Sequence, residues 1–591
     1  MHVKFKVQET GQDIIIATTR PELLCTAALV IFNPKDARYK GLEGKTAITP
    51  VFGLEVKIEQ DSEADLSFGT GLVFMSASAG DQDAIRFLRK RNIKPVQAVG
   101  MDGRMLEVAG KLQGMKTKEA RQEIISLLEA NGLVSKKEKI MHSVPVCERS
   151  KDAIEFVAMP EFYLKQVEFK SDLLAMTGQL RFIAPKSKQL LADWISSISI
   201  DWPISRRRYY ATEIPLWYCT DCKTAIVPKG GKYYRPWTDS PDVKKCKCGG
   251  SKFRGEERVF DTWFDSSISP LYILKYHSDR KFFAAHSPCT LRPQGKEIIR
   301  TWLYYTLLKC YLLTDKPIFR DVWINYHIVD ESGRKMSKSL GNVVDPKKIL
   351  EAFGAEPFRL WAAIEGDLTK SDLKCSFQRI QGEAKTLTKL WNVARFISQF
   401  QPGKNAKIVC AADLAVVNEM KRLIETADLS YAEYDFHGPA VLAKSFIWEG
   451  FASHYLELVK TRAYNENNAF PKEEQDSAIC ALHYCLETVL KLLAPILPFI
   501  TARLYRELTG KDVWSEPFPE AGKLHDISLT LNDLAELNSV VWKAKRDAGK
   551  SLKDPIAKLV LTEKFRKAEQ DIKTAHGAKT VEYGPGIVAQ A

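Results

Sequence analysis

At 591 residues the chain is too long for a single core, and roughly three to five domains are expected. Hydrophobic content of 45% and charged content of 27% are those of a soluble globular protein, and no apolar run reaches the roughly 18 residues that a membrane span needs. The net charge of +13 suits a polyanionic partner, while twelve cysteines in so long a chain exclude a secreted disulfide framework and point to a reducing cytoplasm.

The first residues alternate, with Val3, Phe5 and Val7 set against His2, Lys4 and Lys6, which predicts an exposed strand and excludes a signal peptide. Farther along, Asp201-Trp-Pro-Ile-Ser-Arg-Arg-Arg-Tyr-Tyr210 places three arginines beside two tyrosines. That composition suits a phosphate backbone and splayed bases, although a bare arginine run also reads as a solvated surface. Cys219-Thr-Asp-Cys222 and Cys246-Lys-Cys248 bracket a basic loop containing glycine and proline. Four thiolates so placed form a zinc-ribbon-like set in which tetrahedral ligation orders a segment with little core of its own. The alternative is two unrelated pairs of cytosolic thiols. A closed set of four protein ligands leaves no position for catalysis, so the Zn2+ is structural, and no histidine pattern indicates a catalytic metal.

Val259–Ser267 reads as a strand end or pocket wall with hydroxyls at its tip. Leu291-Arg-Pro-Gln-Gly-Lys-Glu297 runs into an apolar helix through Ile298, Trp302 and Leu307, and Val322-Trp-Ile-Asn325 is a short buried strand. Strand, helix, strand in this order predicts a parallel nucleotide-binding sheet. Lys335-Met-Ser-Lys-Ser339, followed by Gly341, predicts a short mobile loop whose ammonium groups can meet a polyphosphate. Beyond it, helical spacing of apolar residues predicts helices over Phe377–Phe400, Ala411–Ala427, Ala440–Tyr464, Glu474–Leu493 and Pro498–Leu508, packed as an antiparallel bundle. Within that bundle Trp448, Phe451, Tyr455 and Leu458 form a core stripe, and Arg395, Lys460 and Arg462 are candidate RNA contacts. Pro517 and Pro519 mark a linker to a tail with a helix over Leu531–Arg546 and a strand over Ala557–Leu561.

Ala17-Thr-Thr-Arg-Pro-Glu-Leu-Leu24, Cys147-Glu-Arg-Ser150, Ile204-Ser-Arg-Arg-Arg208, Asp261-Thr-Trp-Phe264, Arg292-Pro-Gln-Gly295 and Lys335–Ser339 together resemble the class I aminoacyl-tRNA synthetases of the valine, isoleucine and leucine branch. Similarity over 142–165 and 289–326 favours the valyl-tRNA synthetases of the archaeal type, and the likeness runs from Ile14 to about Gly584. The resemblance implies a multidomain α/β plus all-α fold. Residues 1–140 would be a β-rich editing domain and 141–200 a connector. Residues 201–365 would be the C-terminal half of a Rossmann-type catalytic domain, with a zinc insert at 216–256 and the KMSKS loop at 335–339. Stem-contact and helical anticodon-binding parts would occupy 366–520, and a small α/β appendage 525–591.

The resemblance also implies substrates and site residues. Valine, ATP with Mg2+ and tRNA(Val) would be the substrates, with Lys335, Ser337, Lys338 and Ser339 catalytic and Gly295, Glu297 and Lys338 at the ATP. Glu297 also reads as an ordinary carboxylate at a helix start. Arg206, Arg207, Arg208 and Arg395 would face tRNA. Hydrolytic editing of threonyl-tRNA, needed because a hydrophobic pocket rejects a hydroxyl-bearing isostere poorly, would use Thr18, Thr19, Arg20 and Asp83. Asp83 also reads as a helix N-terminal carboxylate. The turn Phe68-Gly-Thr-Gly71 matches the family, but Phe74, Ser76, Ala79 and Gly80 depart from its commoner lysine, threonine, histidine and aspartate. Members of class I carry a His-Ile-Gly-His-type motif in the first half of the sheet, and no two of the ten histidines here lie three residues apart. The expectation is therefore the larger portion of a split or truncated enzyme that needs a separate half bearing that motif. A stand-alone deacylase of mischarged tRNA and a non-catalytic tRNA-binding protein are the other two readings.

Overall fold

The computed structural model describes every residue except 68, 79–81, 140–143, 148–150, 152, 158, 210, 368–371 and 467; for 82, 83 and 339 it describes the backbone alone. The chain forms two compact units, Met1–Phe162 and Tyr163–Ala591. Among the described residues, no helix is long and apolar enough to cross a membrane.

The first unit is built on one seven-stranded sheet in the order Asp13–Ala17, His2–Val7, Thr46–Ile48, Glu55–Gln60, Ala27–Phe32, Leu72–Ser76, with Val134–Lys136 also paired to His2–Val7. All pairs are antiparallel except Ala27–Phe32 with Glu55–Gln60. The first strand was expected to be exposed. It instead lies inside the sheet, because its alternation buries Val3, Phe5 and Val7 on the core face while three other strands take up its backbone. Thr70 Oγ1 donates to the Ile15 carbonyl at 2.7 Å and Tyr39 Oη to the Thr70 carbonyl at 2.6 Å, so the Gly69-Thr70-Gly71 turn is pinned beside the strand that leads to Thr18.

The second unit contains a three-stranded parallel sheet in the order Cys289–Gly295, Phe319–Asn325, Arg181–Phe182. Between its first two strands the chain passes through a short π-helical turn, Ile299–Leu303, and the helix Tyr304–Thr314. Leu303, Tyr304, Leu307 and Leu308 on that segment bury against Val322 and Ile324 of the sheet. One apolar face of a helix on a β-rich sheet is the packing that the strand, helix, strand order predicts.

The helices Phe377–Ile397, Ala411–Ala432, His437–Ser445, Leu456–Tyr464, Lys472–Leu493 and Pro498–Thr509 follow. A π-helical stretch, Phe446–Tyr455, joins the third of these to the fourth. Phe451, Tyr455 and Leu458 are buried, and Trp448 donates its indole N–H to Thr386 Oγ1 at 3.0 Å, so the stripe is core. The tail adds the helix Leu531–Asp547 and a three-stranded sheet centred on Lys558–Leu561. Its apolar residues, Leu534, Val541, Leu559, Phe565 and Ile572 among them, share one continuous core with the bundle.

A buried charge network crosses that core. Arg462, named above as a candidate RNA contact, is 1% exposed and turned inward. Its guanidinium grips Asp413 bidentately at 2.7 and 2.8 Å and donates through Nε to Asp571 at 2.7 Å. Tyr455 Oη and Ser477 Oγ complete the Asp413 shell at 2.7 and 2.5 Å. RNA cannot reach it. With one guanidinium between two carboxylates the cluster carries an excess negative charge, and burial, reinforced by Asp413, pushes the Asp571 carboxyl up to about 6.

That shift has a definite sign. The folded chain holds a proton on Asp571 to about pH 6, whereas the unfolded chain releases it near the ordinary 3.8. Proton binding therefore favours the folded state, and stability declines as pH rises from about 4 to about 6, then levels off. In Asp571→Asn, which keeps an acceptor for Arg462 and removes the second charge, thermal unfolding is expected to lose that component of its pH slope and to match or exceed wild type at pH 7. In Arg462→Leu, which strands two buried carboxylates, a loss of about 3–5 kcal/mol is expected in denaturant melts.

Candidate functional site

The parallel strands Cys289–Gly295 and Phe319–Asn325 run in register, with Gly295 opposite Asn325, so both end at one level. Loops at the carboxyl ends of parallel strands are where such sheets bind ligands. Glu297 folds back over the end of its own strand, its carboxylate occupying the space beside Gly295 that a Cβ would enter at 2.6 Å. From the neighbouring strand end, His327 Nε2 approaches Glu297 Oε2 at 3.3 Å, while the His327 backbone N–H donates to Asp372 Oδ1 at 3.1 Å. Lys296 Nζ reaches the same Asp372 oxygen at 3.3 Å. Neither His327 nor Asp372 stands out in the sequence, because their partners are 30 and 45 positions away and only the sheet register joins them.

The lysine loop begins two residues beyond His327. Val329 pairs through its backbone with Lys335 across a tight turn. Asp330 accepts the Arg334 N–H at 2.8 Å and Asn342 Nδ2 at 2.9 Å, and Asn342 Oδ1 in turn accepts the Ser337 N–H at 2.9 Å. These bonds hold the Asp330 carboxyl below the usual carboxylate range. Met336 is the anchor, packed into a small core with Ile349, Trp361, Cys375 and Ile380. Ser337 caps the short turn Lys338–Leu340 through Oγ. Lys335 and Lys338 both point to solvent, and neither has an ion-pair partner among the described residues. A fixed base with two free ammonium groups can neutralise phosphate charge that develops during a reaction. The side chain of Ser339 lies outside the described residues.

Two further cations, Arg292 and Lys309, lie on strand Cys289–Gly295 and on the helix that follows it. Arg292, 5% exposed, donates to Ser269 Oγ and Thr306 Oγ1 at 2.8 and 2.7 Å and stacks 3.5 Å from the centre of the Trp302 ring. Burial without a carboxylate pulls its pKa down to about 10. Lys309 donates to the Phe264 carbonyl at 2.5 Å, and burial pulls it down to about 8 against the opposing effect of Asp265. Both amide atoms of Gln294, 5% exposed, lack a partner among the described residues. Arg206 pairs with Asp261 and also donates to the Pro203 and Ser205 carbonyls. It is thereby tied to the fold, whereas Arg207 and Arg208 beyond it are exposed, as is Arg395 on its helix.

The four clustered cysteines meet. Strand Trp217–Cys219 pairs with Ala225–Ile226 and Phe253–Gly255, bringing Cys219, Cys222, Cys246 and Cys248 together with all sulfurs within 4.8 Å of one another. The Cys219–Cys248 and Cys222–Cys246 separations are 3.6 Å. Tetrahedral bonds of about 2.3 Å put sulfurs ~3.8 Å apart, so the donor set fits a zinc-sized ion.

In the first unit, Thr18 Oγ1 accepts the Arg20 N–H at 2.9 Å, and Thr19 is exposed. Arg20 donates to the fully buried Glu22 at 2.6 Å and to Glu155 at 2.8 Å, and Arg121 holds Glu22 from the other side at 2.7 and 3.0 Å. Much of the Arg20 donor capacity is therefore taken by the fold. Ser76 is buried against Thr26 at 2.9 Å, and Phe74 packs on Phe5. Asp83 is the second residue of helix Gln82–Lys90, with its side chain outside the described residues. Phe68, Ala79, Gly80, Asp81 and the Glu148-Arg149-Ser150 part of the cysteine motif also lie outside them.

Comparison with known proteins gives the family. The model for class I tRNA synthetases (I, L, M and V) matches residues 102–375, and that for the anticodon-binding domain of tRNA ligase matches 413–561, running on into the tail whose core joins the bundle. The valine–tRNA ligase of Aeropyrum pernix is 42% identical over 98% of this chain and 71% of its own length. That of Pyrobaculum aerophilum is 41% identical over 99% and 74%, and that of Nanoarchaeum equitans 41% over 94% and 73%. With such identity along nearly its whole length, the chain belongs to the valine–tRNA ligase family of class I aminoacyl-tRNA synthetases.

Proposed function

We propose that this chain provides the phosphate-handling and editing parts of an enzyme that uses ATP and Mg2+ to attach valine to tRNA(Val). The observation that carries the reading is the convergence, at one end of a parallel strand pair, of Glu297 and His327 with the loop bearing Lys335 and Lys338. In this reading Glu297 accepts hydrogen bonds from a ribose, and the two exposed ammonium groups meet the α-phosphate and the departing pyrophosphate. The buried Arg292, three residues before the end of its strand, adds positive potential to the same sheet. No two of the ten histidines form the family's His-x-x-His pattern. Residues outside these 591, in the same polypeptide or a second one, therefore supply that part of the ATP site.

Arg207, Arg208 and Arg395 are candidate tRNA contacts, with Arg206 acting through Asp261 to position the first two. The four thiolates hold a structural Zn2+, which keeps the 216–256 segment ordered. Thr18, Thr19 and Asp83 serve the hydrolysis of threonyl-tRNA, and Arg20 orders the threonine wall through its bonds to Glu22 and Glu155.

Each part has its measurement. ATP–pyrophosphate exchange, with the histidine-motif residues supplied, is expected to fall about 100-fold in Lys338→Ala; unchanged exchange would remove the loop from the reaction. Deacylation of threonyl-tRNA by the full chain is expected to drop at least about tenfold in Asp83→Ala, and the editing reading fails if it persists at the wild-type rate. A chelator, or Cys248→Ser, is expected to release one zinc per chain and to open 216–256 to limited proteolysis. A chain that carries no zinc and resists cleavage equally in both states would refute the metal assignment.

A further inference from the structure

The thiolate segment has a charge distribution that holding a metal does not require. Residues 216–256 contain nine lysines and arginines against four acidic residues. Of the four acids, Glu256 is buried and paired with Arg258, Asp242 is taken by Lys232, and the exposed Asp221 accepts from Thr220 Oγ1 at 3.2 Å between the first two cysteines. Asp239 turns back to cap its own loop, accepting the Arg235 N–H at 2.7 Å. On the other side, Lys244, Lys245, Lys247, Lys252 and Arg254 are all exposed, with no ion-pair partner among the described residues.

Two of these cations, Lys244 and Arg254, line an open groove of about 580 Å³ together with Trp237 and Phe253, and Asp239 and Glu257 are the exposed carboxylates in that lining. Trp237 is 43% exposed and shares the groove lining with Lys244 and Arg254. Its loop is held firmly. A Cβ on Gly255 would overlap the Pro236 carbonyl, so strand Phe253–Gly255 lies directly against the residue before Trp237, and Trp217 donates its indole N–H to the Asp239 carbonyl at 2.8 Å on the far side of the same loop. An ordered, exposed aromatic flanked by free cations is the arrangement that binds a nucleic-acid strand by stacking a base and following its phosphates.

We propose that this face of the thiolate knob is a docking surface for a single-stranded segment of RNA, with a base stacked on Trp237 and adjacent phosphates at Lys244 and Arg254. The inference rests on the reading of the chain as part of a tRNA ligase, which makes a tRNA the occupant. It assigns RNA contact to a segment for which the four thiolates suggest only a structural role. A duplex would leave the indole unused, since paired bases offer no free face.

The test is binding of unacylated tRNA to the full chain, followed by fluorescence anisotropy across a salt series, with heparin as a competing polyanion. The double variant Lys244→Glu/Arg254→Glu is expected to weaken binding about tenfold or more and to reduce the salt slope by about 1.4, from ~0.7 per single-strand phosphate. Trp237→Ala is expected to weaken binding about tenfold while leaving the slope unchanged, because stacking releases no counterions. Thermal unfolding matched to wild type shows that the variants are folded, and Lys244→Ala/Arg254→Ala replaces the double variant if it is not. Wild-type affinity and slope in both variants overturn the proposal while leaving the ligase reading intact. So does a surface that loses heparin and tRNA alike on charge reversal yet is indifferent to Trp237→Ala, which marks a general polyanion patch. A wild-type chain that binds no tRNA at all overturns both.

Discussion

The register between Cys289–Gly295 and Phe319–Asn325 is the constraint on which the candidate site depends. With Gly295 opposite Asn325, two loops leave the sheet side by side, and residues 30 positions apart come within hydrogen-bonding distance as Glu297 and His327. A slip of one residue would turn Arg292 and Gln294 from the helix-covered face to the other and separate those loops. Burial of Leu303, Tyr304, Leu307 and Leu308 on Val322 and Ile324 holds the register, so the apolar core of the second unit is also what aligns its polar site.

Around that alignment the chain spends charge in two ways. Where charges are paired and buried they hold elements together. Asp321, fully buried, is held near 2 by Arg181 and Arg320 and accepts from Tyr434, tying the sheet to the segment after helix Ala411–Ala432. Arg462 with Asp413 and Asp571 does the same between the bundle and the tail. Other charges have no ion-pair partner among the described residues and lie exposed, Lys335 and Lys338 on the lysine loop and Lys244 and Arg254 on the thiolate knob among them. The contrast follows from desolvation, since a buried charge must be paired or hydrogen-bonded while an exposed one needs no partner.

Local signals were legible where neighbouring residues alone decide the outcome. The four cysteines meet because two tight knuckles on paired strands leave them little choice, and the helices of 377–509 follow from apolar spacing whose effect extends over a few turns. The first strand was misread as exposed because alternation shows which face is buried and is silent on how many strands pair with the backbone. From the sequence Arg462 is only a candidate RNA contact, because its two carboxylates are 49 and 109 positions distant and a lone arginine on a helix looks the same paired or free.

By itself the sequence determined the family, through short motifs whose residues carry their chemistry wherever they are placed, and the class of each segment, through periodicity that acts within one helix or strand. Only the tertiary structure decided which charges are free. It committed Arg20, Arg206 and Arg462 to the fold and left Lys335, Lys338, Lys244 and Arg254 exposed. The reason is that pairing a charge depends on partners brought close by folding, and nothing along the chain records that distance.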